Sequence, residues 1–133
     1  PGTGDIQLTI VQTAELDGVV VVTTPQEVAL IDARKAIGLF ERVETPILGI
    51  IENMSYFQCP SDGKIYHIFG EGGGEREAAK LGVPLLGKIP LDISTRFGGD
   101  EGRPVALEDP GQNPVSAAFR QVAEQCARVV LDR

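Results

Sequence analysis

The sequence of 133 residues is short of several residue types on which whole classes of protein depend. It contains two cysteines, one histidine and no tryptophan, and only 5% of its residues are aromatic. Two cysteines in separate contexts do not form the disulfide framework of a small secreted domain. A single histidine also leaves no Ser-His-Asp or Cys-His arrangement to assemble. These absences argue against a disulfide-stapled domain and a triad hydrolase, and they predict a reducing, cytoplasmic environment.

Positive charge is scarce as well, because 12 Lys and Arg residues stand against 19 Asp and Glu residues, for a net charge of -7. Nucleic-acid binding draws most of its affinity from clustered Lys and Arg, so we expect no nucleic-acid partner. No apolar run approaches the roughly 20 residues that a membrane-spanning helix needs. The first residues carry neither the basic stretch nor the apolar core of a signal peptide. We therefore expect no membrane partner and no export.

A phosphate-binding loop of the form Gly-x-x-x-x-Gly-Lys-Ser/Thr is also missing, so we expect no phosphate cradle within this chain. The Gly-rich stretch 1–5 precedes a possible helix, an arrangement that offers backbone amides to phosphates. A turn at a flexible chain start explains the same residues. The following stretch, 6–14, suits both a strand and a helix, and its periodicity does not decide between them.

The clearest pattern predicts a βαβ unit. Four consecutive valines within residues 18–24 are typical of a parallel strand buried on both faces. Thr24 stands three residues before Glu27 with a Pro between them, which predicts a capping box and a helix that stops before Pro46. A second strand is expected over residues 47–51. The predicted fold class is α/β, a parallel sheet flanked by helices, with residues 1–133 forming one domain.

The remaining sequence continues the alternation around one long irregular segment. Residues 56–74, which we name the cysteine loop, contain Cys59 and end in a glycine triplet that suggests a hinge or lid. A short helix over 75–81 and a strand over 85–89 follow. Residues 94–109 are predicted to be irregular, with one helical turn near Arg96. Asn113 then caps a last helix whose apolar stripe includes Cys126, which is expected in the core.

Four polar side chains are candidates for chemistry. Asn53 follows a buried parallel strand, where ligands of open α/β sheets gather; its carboxamide complements an adenine edge, and a turn-forming role is equally compatible. Cys59 offers a thiolate to a soft metal such as cluster iron, or is an ordinary exposed thiol. Four thiolates are usual for a [4Fe-4S] centre, so one chain cannot hold it and a cluster would be shared between chains. Asp62 and His67 are minor additional ligand candidates.

Five strings together point to a family. Pro-Gly-Thr-Gly-Asp at 1–5, Thr-Thr-Pro-Gln-Glu at 23–27, Glu-Asn-Met-Ser-Tyr-Phe at 52–57, Ile-Phe-Gly-Glu-Gly-Gly-Gly-Glu at 68–75 and Ile-Pro-Leu-Asp at 89–92 occur in this order. The sequence thereby resembles the Mrp/ApbC proteins, relatives of MinD and ParA among the deviant Walker A P-loop ATPases. The resemblance covers essentially all 133 residues. It implies the C-terminal part of that fold, with the phosphate loop upstream of Pro1.

The resemblance also implies roles for individual residues. The first five residues correspond to the end of the switch II motif, which makes Asp5 a catalytic candidate and Gly2 and Gly4 nucleotide-binding candidates. Asn53 would contact adenine, while Pro90 and Asp92 would line the base pocket. The implied cofactor is ATP with Mg, bound and hydrolysed by the intact protein rather than by this chain alone. The stretch 5–16 is expected to be a helix on the same ground.

Family members that carry clusters have a Cys-x-x-Cys motif here, and two subunits together present four thiolates to a [4Fe-4S] cluster. In this sequence the motif reads Cys59-Pro-Ser-Asp62, and an aspartate is a harder ligand that suits cluster iron less well. The resemblance therefore implies a homodimeric, ATP-binding carrier that transfers iron-sulfur clusters to apoproteins, with Cys59 as metal ligand. With one thiolate per subunit, a [2Fe-2S] or labile cluster with outside ligands is expected. The alternative is a MinD-like nucleotide switch without a cluster.

Overall fold

The computed structural model describes residues 4–132, which fold into a parallel sheet with helices on both faces. The sheet contains three strands in the order β1-β2-β5, and a separate two-stranded hairpin is formed by β3 and β4. All pairs within the larger sheet are parallel. In chain order the elements are α1 (Asp5–Thr13), β1 (Val19–Thr23), α2 (Glu27–Arg42), β2 (Ile47–Glu52), β3 (Phe57–Gln58), β4 (Ile65–Tyr66), α3 (Gly73–Leu81), β5 (Leu85–Lys88), α4 (Ile93–Asp100), a 3₁₀ turn (Val105–Leu107) and α5 (Pro114–Leu131).

Two apolar clusters, one on each face of the sheet, form the core. Consecutive residues of β2 point to opposite faces, so Ile50 belongs to one cluster and Ile51 to the other. Ile50 packs with residues of β1, α2 and α3, namely Val21, Ala33, Ile37 and Ala78. Ile51 packs with residues of β5, the 3₁₀ turn and α5, namely Leu86, Ile89, Val105, Val115 and Val122. The predicted α/β fold class is therefore confirmed as a layered arrangement of helix, sheet and helix.

The predicted βαβ unit is present, and its helix buries the expected stripe. Leu30, Ala33 and Ile37 of α2 are buried, as the spacing of the apolar residues predicts. The helix ends at Arg42, before Pro46. The predictions for the first two strands, the helix between them and the strand β5 are thus confirmed to within one or two residues.

Two details of this unit were predicted wrongly. Val22 is 59% exposed because α5, which covers this face of the sheet, packs on β5 and β2 rather than on β1; burial on both faces does not hold for this edge strand. Thr24 does not cap α2, which begins at Glu27 after Gln26 and has no side-chain cap. Thr24 lies two residues before Gln26, the residue at the helix start, and Pro25 packs against the glycine-rich end of the cysteine loop.

The cysteine loop is more regular than predicted, because it contains the β3–β4 hairpin. Phe57 pairs with Tyr66 and Gln58 with Ile65 in antiparallel register. The turn between them carries Cys59 at its start, and Gly63 within it has a φ of 72°, a backbone conformation that favours glycine. Two residues per strand are too few for the alternation of apolar and polar positions to be visible in the sequence.

Two of the three glycines at the end of the cysteine loop allow close packing, and the predicted hinge or lid stays a prediction. Gly73 and Gly74 are buried in the first turn of α3. A Cβ atom on Gly73 would lie 2.6 Å from the Pro25 carbonyl oxygen, and one on Gly74 would lie 2.8 Å from Glu52 Oε2. Side chains at these positions would therefore push α3 away from the sheet.

The C-terminal helices were predicted with unequal success. Asn113 caps α5 as expected, because its Oδ1 accepts a hydrogen bond from the Val115 amide at 2.9 Å. Cys126 is half-buried and packs against one of the core clusters, in agreement with the core prediction.

The prediction of a single turn near Arg96 was wrong, since α4 is eight residues long. Gly98 and Gly99 lower the helix propensity of this segment, and the cap at Asp92 compensates.

The first described helix, α1, agrees in type with the helix implied over 5–16 but ends earlier, at Thr13. None of its residues is buried, and Ile6 is 74% exposed. Within residues 4–132 no helix combines the length and the apolar character that crossing a bilayer requires.

Candidate functional site

The candidate site lies where the parallel strands end, and the backbone after β2 joins these ends. The Asn53 amide donates to the Thr23 carbonyl oxygen at 2.7 Å, at the end of β1. On the other side the Ser55 amide donates to the Ile89 carbonyl oxygen at 3.0 Å, and the Leu91 amide to that of Tyr56 at 2.8 Å. The chain therefore runs between the ends of β1 and β5 before it enters the hairpin. Open α/β sheets bind ligands at this edge.

Asn53 lines a cavity of about 460 Å³ that runs along β1 and α2. Its side-chain oxygen accepts a hydrogen bond from the Met54 amide at 2.9 Å. Met54 has a φ of 51°, a conformation that a non-glycine residue adopts only with local support. In this structure Asn53 therefore acts as a turn former. The adenine contact implied for it stays a prediction.

Pro90 and Asp92 line a different cavity, of about 350 Å³, between the hairpin and the start of α5. The structure thus brings Asn53 and the 89–92 stretch to adjacent strand ends but not into one cavity. Asp92 caps α4, because it accepts hydrogen bonds from the Thr95 amide at 3.0 Å and from the Ser94 hydroxyl. Burial opposes ionisation of this carboxyl group, but these hydrogen bonds outweigh it and lower the pKa of Asp92.

Cys59 lines the same cavity as Pro90 and Asp92. The thiol is half-buried and free of any disulfide. Two backbone hydrogen bonds fix its place at the hairpin turn: the Cys59 amide donates to the Lys64 carbonyl oxygen at 2.9 Å, and the Cys59 carbonyl oxygen accepts from the Gly63 amide at 2.8 Å. The hairpin therefore sets the predicted metal ligand beside the stretch predicted to line the base pocket.

The two minor ligand candidates do not join Cys59. The Asp62 carboxylate accepts a hydrogen bond from the Lys64 amide at 2.9 Å, so it stabilises the turn. His67 Nε2 lies 3.5 Å from the Glu71 carboxylate. Within the described part of the chain, no group of three or more His, Cys, Asp or Glu side chains is placed to hold a metal ion. The expectation that one chain cannot hold a cluster stays a prediction.

The Gly-rich start of the chain is described only in part. Gly4 is the residue before α1, and Asp5 is its first residue, with an exposed side chain. The Thr9 hydroxyl donates to the Asp5 carbonyl oxygen at 2.8 Å, which ties this residue into the helix. Gly2 lies outside the described residues. The roles assigned to Gly2, Gly4 and Asp5 stay predictions.

One residue of the site was missed in the sequence. Glu52, at the end of β2, is 1% exposed, and its two carboxyl oxygens accept hydrogen bonds from Ser55 and Gly74. A glutamate directly after an apolar strand, with serine three residues later, was the available signal. Glu52 belongs to the string 52–57 that carries the family resemblance, but the only role implied within that string is the adenine contact of Asn53.

The comparisons with known proteins agree with this geometry. The family model for NUBPL iron-transfer P-loop NTPases of the ParA type matches residues 1–127. An iron-sulfur cluster carrier protein of Pyrococcus furiosus is 50% identical over 125 residues, which are 94% of this chain and 42% of that protein. The chain therefore spans less than half the length of this relative.

Two solved structures share the fold. A nucleotide-binding protein from Archaeoglobus fulgidus in complex with ADP matches with a TM-score of 0.67 and 43% identity, over 77% of this chain and 42% of that one. The cell division ATPase MinD of Pyrococcus furiosus matches with a TM-score of 0.64 and 26% identity, over 85% and 43% of the two chains. Together with the family match over residues 1–127, they show that the chain belongs to the NUBPL iron-transfer family of ParA-type P-loop NTPases.

Proposed function

We propose that this chain is the cluster-binding part of an ATP-dependent iron-sulfur cluster carrier, which works in the cytoplasm and delivers clusters to apoproteins. The observation that carries the proposal is the shared cavity of Cys59, Pro90 and Asp92. A thiol ligand beside the predicted base pocket gives a nucleotide a direct way to influence metal binding. The names of the relatives, iron-sulfur cluster carrier proteins, support the same function.

In this proposal two copies of the protein share one cluster, because each contributes a single thiolate at Cys59. The cysteine loop that carries the thiol also exposes Ile65 and Ile68, which are 54% and 55% exposed. Exposed apolar side chains next to the ligand favour association of two subunits there. Two thiolates suit a [2Fe-2S] or labile cluster completed by ligands from outside the protein.

Transfer to a client is then a ligand exchange without net redox change. A client thiol loses its proton and forms an iron-sulfur bond as the bond between iron and Cys59 breaks. The Cys59 thiolate released in this step takes up a proton. A ligand set with only one thiolate per subunit favours release, because the client can supply the thiolates that the carrier lacks.

The ATP part of the proposal assigns the base contact to the strand ends. Asn53 lines one cavity and Pro90 and Asp92 line another, so the adenine would have to lie across the strand ends to contact all three. The phosphates and Mg would be held by a phosphate loop that this chain does not contain. Replacing Asn53 by alanine in the intact protein should weaken ADP binding about tenfold, the effect of one lost polar contact. Unchanged affinity in calorimetry would contradict the assignment of Asn53.

The carrier role is tested by cluster reconstitution with ferrous iron and sulfide under anaerobic conditions. The wild-type protein should retain iron, sulfide and visible absorbance after desalting, and Cys59→Ala should retain none. Cys126→Ala is the matched control: it removes the other thiol, which packs against a core cluster, and should keep the cluster. Equal retention by Cys59→Ala and the wild type would overturn the carrier role.

A second candidate function is a MinD-like nucleotide switch without a cluster. The observation that favours it is Asp62, which stands in the place of a second cysteine and whose carboxylate is bound to the turn backbone. Under this alternative, reconstitution fails for the wild type and for both alanine variants alike. ATP would then change the association of the protein with a partner without any metal.

A further inference from the structure

Glu52 is a carboxyl group in an unusual place. Its side chain is buried at the end of β2, with 1% of its surface exposed, whereas glutamate is almost never buried unless it is paired. Oε1 accepts a hydrogen bond from the Ser55 hydroxyl at 2.6 Å, and Oε2 accepts one from the Gly74 amide at 2.7 Å. Within residues 4–132, no lysine or arginine forms an ion pair with it.

These two partners mark the two ends of the cysteine loop. Ser55 directly precedes residues 56–74, and Gly74 is the last residue of that loop. One carboxyl group therefore holds both the entry and the exit of the segment that carries Cys59. Ser55 is itself 3% exposed, so water does not compete for its hydroxyl group.

At the end of the cysteine loop, Gly74 packs directly against the Glu52 carboxyl group. A Cβ atom at Gly74 would lie 2.8 Å from Glu52 Oε2, so only glycine lets the amide approach this closely. The Gly74 amide belongs to the first turn of α3, where amides have no partner within the helix and favour an acceptor of negative charge. The contact thus fixes the start of α3 as well as the end of the loop.

We propose that Glu52 is a positioning residue for the metal ligand: it clamps both ends of the cysteine loop to the sheet and so sets the position of the Cys59 thiol in its cavity. The inference rests on the proposed function for the role of Cys59 as ligand. The clamp itself is a property of the fold that can be measured without iron.

The test measures the rate at which a thiol reagent labels Cys59 in the intact protein. All variants carry Cys126→Ala, so that Cys59 is the remaining thiol among residues 4–132. Glu52→Gln keeps the size of the side chain but replaces one acceptor oxygen by an amide nitrogen, which cannot accept from the Gly74 amide and can bond to the Ser55 hydroxyl only by donating to its oxygen. Because this loses or reverses one of the two contacts of the clamp, the labelling rate of Cys59 should rise about three- to tenfold. Glu77→Gln is the matched control, because Glu77 is a buried glutamate, 5% exposed, whose hydrogen bonds go to Arg34 between α2 and α3.

Glu77→Gln should leave the labelling rate within about twofold of the parent, even though it lowers global stability. Ser55→Ala is a milder variant that removes one contact of the clamp, and it keeps the test decisive if Glu52→Gln does not fold. Its labelling rate should also rise, and the combination of Glu52→Gln with Ser55→Ala should raise it less than the product of the two effects, as expected for coupled residues. Parent-like rates in both Glu52→Gln and Ser55→Ala, or an equal rise in Glu77→Gln, would overturn the proposal.

Cluster reconstitution of the same variants separates this inference from the carrier role. If the thiol binds a cluster and Glu52 positions it, Glu52→Gln should retain severalfold less iron than Glu77→Gln. If labelling changes as expected but no variant, including the parent, retains iron, the clamp stands and the carrier role fails. If the parent retains iron and labelling is unchanged in Glu52→Gln and Ser55→Ala, the carrier role stands and the clamp fails.

Discussion

Among residues 4–132 two glutamates are buried, and they lie in two differently built regions. Glu77 lies in α3, on the face of the sheet where α2 and α3 pack over Val21 and Ile50, which we call the helix-covered side, and Arg34 is hydrogen-bonded to its carboxylate. Glu52 lies at the strand ends, bonded to a hydroxyl group and a backbone amide, beside a loop whose Ile65 and Ile68 are exposed. Apolar burial stabilises the first region, whereas hydrogen bonds position the second. Global stability and the position of Cys59 should therefore respond to different substitutions.

The largest effect on stability is expected from the core of the helix-covered side. Ile50 is fully buried, at 0% exposure, and Ile50→Ala should lower the free energy of unfolding by about 3–4 kcal/mol through lost burial and a cavity. Urea denaturation would show this as a lower midpoint with an unchanged slope. Ile50→Val is the graded control and should cost about 1 kcal/mol. Equal losses in the two variants would show that this side is not tightly packed.

The second largest effect is expected where the two regions meet, at Gly73. A Cβ atom there would lie 2.6 Å from the Pro25 carbonyl oxygen and 2.9 Å from Leu30 Cδ1. Gly73→Ala should therefore destabilise the protein by about 1–3 kcal/mol, because backbone on both sides must shift. Gly99→Ala is the control, since a Cβ atom at Gly99 in α4 meets nothing within 4 Å and alanine favours helix. A neutral Gly73→Ala in thermal denaturation would contradict the close packing.

A smaller effect, with a pH dependence, is expected from Glu77. Hydrogen bonds from Arg34 outweigh burial and hold the pKa of Glu77 below its ordinary value of 4.5. A carboxyl group with a lowered pKa contributes stability that is present above its unfolded value and is lost as the pH falls through its folded value. Glu77→Gln should therefore lower the urea midpoint at neutral pH, and the difference from the wild type should shrink below pH 4.5.

Glu52→Gln gives the contrast to Glu77→Gln in the labelling of Cys59. Its hydrogen-bond partners are a serine and a glycine amide, without a basic side chain. At neutral pH, Glu52→Gln should raise the rate at which a thiol reagent labels Cys59, whereas Glu77→Gln should leave that rate nearly unchanged. A gap between Glu77→Gln and wild type that stays constant on acidification would mean that the Arg34 contact does not stabilise the folded state.

The sequence predicted the helices and strands that build the two faces of the sheet far better than it predicted the strand ends. The valine run at β1, the stripe of α2 and the cap at Asn113 are local or periodic signals, and each is found in the structure. The clamp by Glu52 joins residues 22 positions apart, and no local pattern encodes such a contact. The failed capping box has the same origin: packing of Pro25 against Gly73 overrides the cap preference of Thr24.

The β3–β4 hairpin and α4 were missed for different physical reasons. The hairpin has two residues in each strand, and its antiparallel pairing follows from hydrogen bonds between residues 59 and 64 rather than from side-chain alternation. In α4 the Gly98-Gly99 pair argues against a helix, while the Asp92 side chain supplies the cap that supports it. Cys59 was a candidate from its thiol and its place in the loop, and the resemblance implied its role as a ligand, but its cavity with Pro90 and Asp92 became visible only in three dimensions.

The smallest effect on stability is expected at the exposed apolar residues of the hairpin. Ile65 is 54% exposed, so Ile65→Ser should change the free energy of unfolding by less than about 0.5 kcal/mol. If two subunits meet at the hairpin, the same variant should weaken self-association, measured by analytical ultracentrifugation over a range of protein concentrations. Leu107→Ser is the control, because Leu107 is 82% exposed at the 3₁₀ turn, away from the hairpin. Loss of association in Leu107→Ser but not in Ile65→Ser would place the contact between subunits elsewhere and leave Cys59 without a partner thiol.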